Sequence, residues 1–199
     1  RKNVTLANGS AVWLTATSGQ SSDLRANISG DGSVVKKDAG VVRLGPWGGV
    51  TQLTQSGDVI VEAGSLDSAG RSNYQMFDTP GDLVIADGAN FNYSALNDFS
   101  AGTASRFGAL RGEGTVTTSY GTHYIQFGNA DKSGEFLGDV TGALHVTKIG
   151  EGTQTFSGAN AFSGTTTVAA GALLVNGTHT GGGTYTVNGG ATLGGSGDL

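Results

Sequence analysis

A chain of 199 residues with 11 Lys plus Arg against 16 Asp plus Glu carries a net charge of −5. That thin, slightly acidic balance excludes a nucleic-acid surface, which needs clustered basic side chains to displace counterions. With no cysteine there are no disulfides or thiolate metal sites, so a core or a repeating ladder has to hold the chain together.

Glycine supplies 36 residues and proline two. A glycine content of roughly 18% against a usual value near 7%, without a collagen period, reads as many tight turns between many short strands. The chain opens Arg1-Lys2-Asn3, with no initiator Met and no signal-peptide run. Its last residues, Gly194 to Leu199, stop inside a repeat, so a segment of a longer protein is expected. No run approaches the ~20 apolar residues of a membrane helix, and no membrane insertion of this segment is expected.

Taken in chain order, the first element is Val4 to Val12 around Gly9, of the form apolar-x-apolar-x-x-Gly-Ala/Ser-x-apolar. It predicts a strand, a corner and a strand: alternate apolar residues share one face, Gly permits φ > 0 at the corner, and Ala or Ser keeps the corner narrow. Ile28-Ser-Gly-Asp-Gly-Ser-Val34 opens a second pattern. Short β-branched runs follow at Val34-Val35, Val41–Leu44 and Val59–Val61, with a looser corner at Gly64. Leu83 to Phe91 repeats the corner around Gly88, and Leu110-Arg-Gly-Glu-Gly-Thr-Val116 repeats the second pattern. Further strands are predicted at Val116–Thr118, Tyr124–Phe127, Leu144–Val146, Thr165–Val168 and Leu173–Val175. Thr166 to Leu174 turns around Gly171, Tyr185 to Leu193 around Gly190, and Leu193-Gly-Gly-Ser-Gly-Asp-Leu199 closes the chain on the second pattern. No window shows a sustained helical period, so no helix is predicted.

The spacings decide the architecture. Ile28, Leu110 and Leu193 are separated by 82 and 83 residues, Gly64 and Gly88 by 24, and Gly171 and Gly190 by 19. Sandwiches and up-and-down barrels are built from antiparallel hairpins and have no reason to repeat one corner at fixed intervals. A solenoid has that reason, because each coil stacks on an equivalent one. The prediction is an all-β, right-handed parallel β-helix of roughly nine coils at ~4.8 Å per coil.

The stretch Lys148-Ile-Gly-Glu-Gly-Thr-Gln-Thr-Phe156-Ser-Gly-Ala-Asn160-Ala-Phe162-Ser-Gly164-Thr-Thr-Thr-Val168-Ala-Ala-Gly171-Ala-Leu-Leu-Val175-Asn-Gly177 closely resembles the autotransporter-associated β-strand repeat, or passenger-associated transport repeat, of autotransporter passengers. Its signature positions are Lys148, Gly150, Gly152, Ser157, Gly158, Asn160, Gly164, Thr166 and Gly171. Gln154 and Phe156 stand where the family has Leu, and Phe162 where it has Tyr. One segment over 1–199 is expected, with a clear repeat at 108–199, an irregular stretch at 67–107 and a degenerate repeat at 28–66. In the degenerate copy Lys36 to Gly45 aligns with Lys148 to Ser157, and Gly64 answers Gly171. About five residues are inserted near Pro46-Trp47-Gly48-Gly49.

The resemblance implies a secreted passenger at the surface of a Gram-negative outer membrane, carried by a C-terminal outer-membrane β-barrel of the same polypeptide. Host or neighbouring-cell surface molecules, glycans, or other copies of the chain are the partners it implies. It does not fix an activity, because unrelated functions ride on such rods.

Side chains that could do chemistry are sparse. His123, His145 and His179 are far apart in sequence and read as surface positions. The run Gly194-Gly-Ser-Gly-Asp198 is similar to a calcium-binding nonapeptide, but Asp falls one place early in a single copy, so no metal or cofactor is expected. Asp78, Asp82 and Asp87 with Arg71 nearby, and Glu113, Glu135 and Asp139, are the densest acids. They read as turn-capping residues or, in the competing reading, as paired carboxylates of a lateral glycan-cleaving groove. Trp47, Tyr74, Phe77 and Tyr93 are candidate ligand contacts; stacked core aromatics are the other reading. The function expected is a structural and adhesive rod, not an enzyme, with the glycan-binding or glycan-cleaving β-helix as the alternative.

Overall fold

In the computed structural model, residues 2–45, 51–69, 75–93 and 104–199 are described. These form an all-β parallel β-helix of about eight turns, close to the nine coils expected. A parallel crossover of this kind is right-handed. Among the described residues there is no α-helix, only a 3-10 turn at Asn129–Asp131, and no helix is long and apolar enough to cross a membrane.

The chain visits three faces in a fixed order. The first face begins with Lys2–Leu6 beside Ala26–Gly30. It continues through single bridges from Ile28 to Leu53 to Phe77, and from Asp78 to Arg106. It ends as a five-stranded sheet of Ser105–Phe107, His123–Phe127, Leu144–Lys148, Thr166–Val168 and Tyr185–Val187. The second face is a nine-stranded sheet running from Ala11–Thr15 to Thr192–Gly194, and the third is an eight-stranded sheet from Ser21–Leu24 to Thr178–His179. Strands of two to five residues suffice because those between the two ends of the rod are paired on both sides, which satisfies their backbone groups.

Period-two alternation then fixes the core. On the second face Val34, Val59, Leu83 and Leu110 stack one above the next. On the third face Val42, Leu66, Phe91, Val116 and Val140 do the same. All nine are buried. Identical or similar side chains therefore meet their counterparts a coil away, as in any parallel stack.

The corners are those the repeats predict. Gly9, Gly64, Gly88, Gly171 and Gly190 all have positive φ and lie between two strands. The second pattern marks a different constraint. A Cβ on Gly30, Gly112 or Gly195 would stand 2.1, 2.0 or 1.9 Å from the carbonyl oxygen of Leu6, Ile85 or Val175 one coil back. Here the chain passes too close to the previous coil for any side chain.

The faces on which these corners sit were not legible in the sequence. Gly9, Gly171 and Gly190 turn the chain from the first face to the second, whereas Gly64 and Gly88 turn it from the second to the third. The alignment of Lys36 with Lys148 is rotated in the same way. Lys36 ends a second-face strand, Ser33–Lys37, and Lys148 ends a first-face strand, Leu144–Lys148. The two copies share a corner, not a place on the rod.

Candidate functional site

The signature lysine is an internal clamp. Lys148 continues the inward column Phe107, Phe127, Lys148, Val168 on the first face and is 1% exposed. Its Nζ donates to the carbonyls of Ile149 at 2.5 Å, Gly150 at 2.7 Å and Ala170 at 3.4 Å. Three donors meet three acceptors, two at its own corner and one on the next coil. Lys36 repeats this with the carbonyls of Lys37, Asp38 and Ala63, and is itself fully buried. Asp38 takes the left-handed conformation that Gly150 takes at the other corner, with φ of 63° and 65°. Burial lowers the pKa of both lysines, opposed by Asp38 beside Lys36 and by Asp131 and Glu151 beside Lys148.

The signature glycines are points of close approach. A Cβ on Gly152, Gly158 or Gly164 would lie 2.3, 2.0 or 2.3 Å from a carbonyl oxygen of the preceding coil. Ser157 donates from its hydroxyl to Glu135 at 2.7 Å. Thr166 is buried, and Asn160 points inward, where its Oδ1 accepts from the Val140 N–H at 3.2 Å and its Nδ2 donates to Gly158.

Gln154, a departure from the family pattern, has a specific task. It stacks on Gly134, whose missing side chain leaves the column open. Through that opening its Oε1 accepts from the Leu110 N–H and its Nε2 donates to the Leu110 carbonyl, both at 2.9 Å. One carboxamide thus replaces the strand pairing that the ladder lacks at this level. The sequence signal was a Gln at an inward position one coil above a Gly in a strand.

Two of the candidate acids, Asp82 and Asp139, are spent on the backbone. The Asp82 N–H donates to Asp58 Oδ1 at 2.8 Å, and the Ala109 N–H donates to Asp82 Oδ1 at 2.8 Å. Arg111 pairs with Asp82 at 2.6 Å. Asp139 accepts from the Ala159 N–H at 3.0 Å. Asp78, Asp87 and Glu113 are exposed, and Arg71 lies outside the described residues. Side chains at the corners therefore carry the ladder where strands end, which is the turn-acid reading. Among the described residues no group of three His, Asp or Glu side chains could hold a metal ion.

Of the four candidate ligand contacts, Trp47 and Tyr74 lie outside the described residues. Phe77 and Tyr93 are 0% and 3% exposed, so they present no surface to a ligand. Phe77 packs on Phe91 and Phe107 at ring distances of 5.4 and 5.0 Å, and Tyr93 stacks on His123 at 5.0 Å. Two of the three histidines are likewise buried rather than on the surface. His123 contacts the Tyr120 carbonyl at 2.7 Å, and His179 lies between the Tyr185 hydroxyl and the Phe162 carbonyl. Only His145 is partly exposed.

No curated protein and no solved structure matches the chain significantly. Residues 146–175 match the family model of the passenger-associated-transport-repeat. That window holds the Lys148 clamp, the Gln154 and Asn160 bridges and the Gly171 corner, one turn of the helix with its connection to the next, and over these residues the chain carries one passenger-associated-transport-repeat.

Proposed function

We propose that this chain is a rigid, non-enzymatic rod within a secreted passenger, which supports export by folding coil upon coil and presents binding regions at the surface of a Gram-negative bacterium. The observation that carries this reading is the three-face parallel ladder of about eight turns. Each coil draws its hydrogen bonds and most of its core contacts from its neighbours, so order can propagate from one end. The repeat at 146–175 supports the passenger assignment. A C-terminal outer-membrane β-barrel of the same polypeptide is the partner this role requires.

The test is export of the full-length precursor. Phe156→Asp places an unpaired charge in the core of one coil. If coil-by-coil folding draws the passenger outward, that variant stalls with residues N-terminal to the lesion inside the periplasm, read by protease accessibility of intact cells. Wild-type surface exposure of the Phe156→Asp precursor would overturn the export role. Release of new reducing ends from glycans by the purified chain would overturn the non-enzymatic reading.

A further inference from the structure

A groove of about 360 Å³ runs along the rod at the corner between the third and first faces. One rim is the outward column His145, Thr165, Thr184, one residue from each of three successive coils, and Tyr124 continues that column one coil back, beyond the lining. The opposite rim includes Ala143 and Ser163, and the floor is Gly164 and Gly183. The floor is bare backbone of necessity: a Cβ on Gly164 would lie 2.3 Å from the Leu144 carbonyl oxygen, and one on Gly183 1.9 Å from that of Gly164.

The rim is organised. The Tyr124 and His145 rings stack at 4.5 Å with planes 10° apart. The Thr165 N–H donates to His145 Nδ1 at 2.9 Å, and the Thr165 hydroxyl lies 2.8 Å from the same nitrogen. Nδ1 is therefore an acceptor, which places the ring proton on Nε2. His145 thus offers an N–H donor from a ring fixed by a neighbour on each side.

We propose that this groove binds a neutral, linear oligosaccharide laid along the rod axis. Three observations select that class. The lining contains no Asp, Glu, Lys or Arg, so nothing there recognises a charged ligand. The strands Leu144–Lys148 and Thr166–Val168 beneath it are paired on both sides, so no free backbone edge is available there to an extended peptide. The polar groups recur once per coil, at ~4.8 Å, so a ligand of repeating hydroxyl-rich units meets a hydrogen-bonding side chain at each step. The proposal rests on the presentation role above for its biological setting, and on the groove alone for its chemistry.

The test titrates the full chain with cellohexaose, chitohexaose and β-1,4-galactohexaose, with hexagalacturonate as the acidic probe, following backbone and imidazole resonances. At least one neutral probe is expected to shift the Tyr124, His145 and Thr165 signals, with little effect of salt. His145→Ala should weaken that binding about tenfold, as loss of one hydrogen bond and one stacked ring implies, while Trp13→Ala on a different part of the rod leaves it unchanged. If His145→Ala lowers the melting temperature, His145→Gln keeps an acceptor for the Thr165 N–H without the ring, and the same tenfold loss is required of it. Absence of any neutral-probe response at millimolar concentration, shifts confined to other surfaces, or binding only of hexagalacturonate in a salt-sensitive manner would each overturn the proposal. Surface display of the full-length His145→Ala precursor is expected to be normal. Wild-type surface display of the Phe156→Asp precursor, with the wild-type purified chain still binding sugar, would sink the rod reading and leave the groove standing.

Discussion

The middle coils and the C-terminal coils solve one packing problem in two ways. From Leu83 to its partner Leu110 the chain takes 27 residues per turn, and from Val59 to Leu83 it takes 24. From Thr153 to Ala172 it takes 19. In the longer turns Phe77, Phe91 and Phe107 pack with edge-on and tilted rings at 5.0 to 5.8 Å. The shorter turns bury rings as well, at Phe127, Phe136, Phe156 and Phe162. There polar side chains enter the inward columns, Asn160 and His179 above Val140 and Gln154 above Gly134, and each is spent on the backbone. Buried apolar side chains thus fill both regions, and inward polar side chains of the C-terminal coils add internal hydrogen bonds to that packing.

The largest expected effect breaks the apolar side of that contrast. Phe107→Ala should destabilise the chain by about 3–5 kcal/mol, and Leu173→Ala in the narrow coils should fall near the lower end of ~2–5 kcal/mol, both read from urea unfolding. Equal losses would remove the contrast. Next comes the clamp: Lys148→Met keeps the length of the side chain but orphans three carbonyls, at a cost of about 2–3 kcal/mol, and Lys36→Met should match it.

The same lysines predict a pH dependence. Burial lowers their folded pKa below the 10.5 of an unfolded lysine. Over that window the unfolded chain binds more protons, so stability rises with pH from the lowered value up to 10.5. The rise should shrink in Lys148→Met, and denaturation midpoints across alkaline pH measure it.

Gln154→Leu installs the residue of the family pattern and is expected to destabilise by about 2 kcal/mol, because the Leu110 N–H and carbonyl lose their partner. A neutral or stabilising result would show that the bridge over Gly134 contributes nothing. The smallest effect is at the surface: Arg111→Ala removes an ion pair with a half-exposed guanidinium and should cost under about 1 kcal/mol, less at high salt.

Much of the strand pattern was legible because corner and alternation are both local signals. The Gly9, Gly88, Gly171 and Gly190 corners and strands such as Val41–Leu44 and Val59–Val61 lie where the residues place them. Phe77 and Tyr93 show the limit. In strands of two to five residues, or at the single bridge of Phe77, the alternation is too short to say which parity faces inward, so two core rings looked available to a ligand. His123 and His179 were misplaced for the same reason. The Gln154 bridge was hidden because its partner Leu110 is 44 residues away, and only stacking through two coils brings them together.

The sequence by itself determined where this chain turns, that its strands are short and parallel, and that Lys148 to Gly171 belongs to a transport repeat. It did not determine which of the three faces a given corner joins. Lys36 and Lys148 build the same clamp on different faces, and the Gly64 and Gly171 corners differ by one face in the same sense. The physical reason is that every face is a parallel ladder with the same spacing and the same need at its ends. A corner motif satisfies any two adjacent faces equally well, and the phase is settled only when each coil finds its register on the one before it.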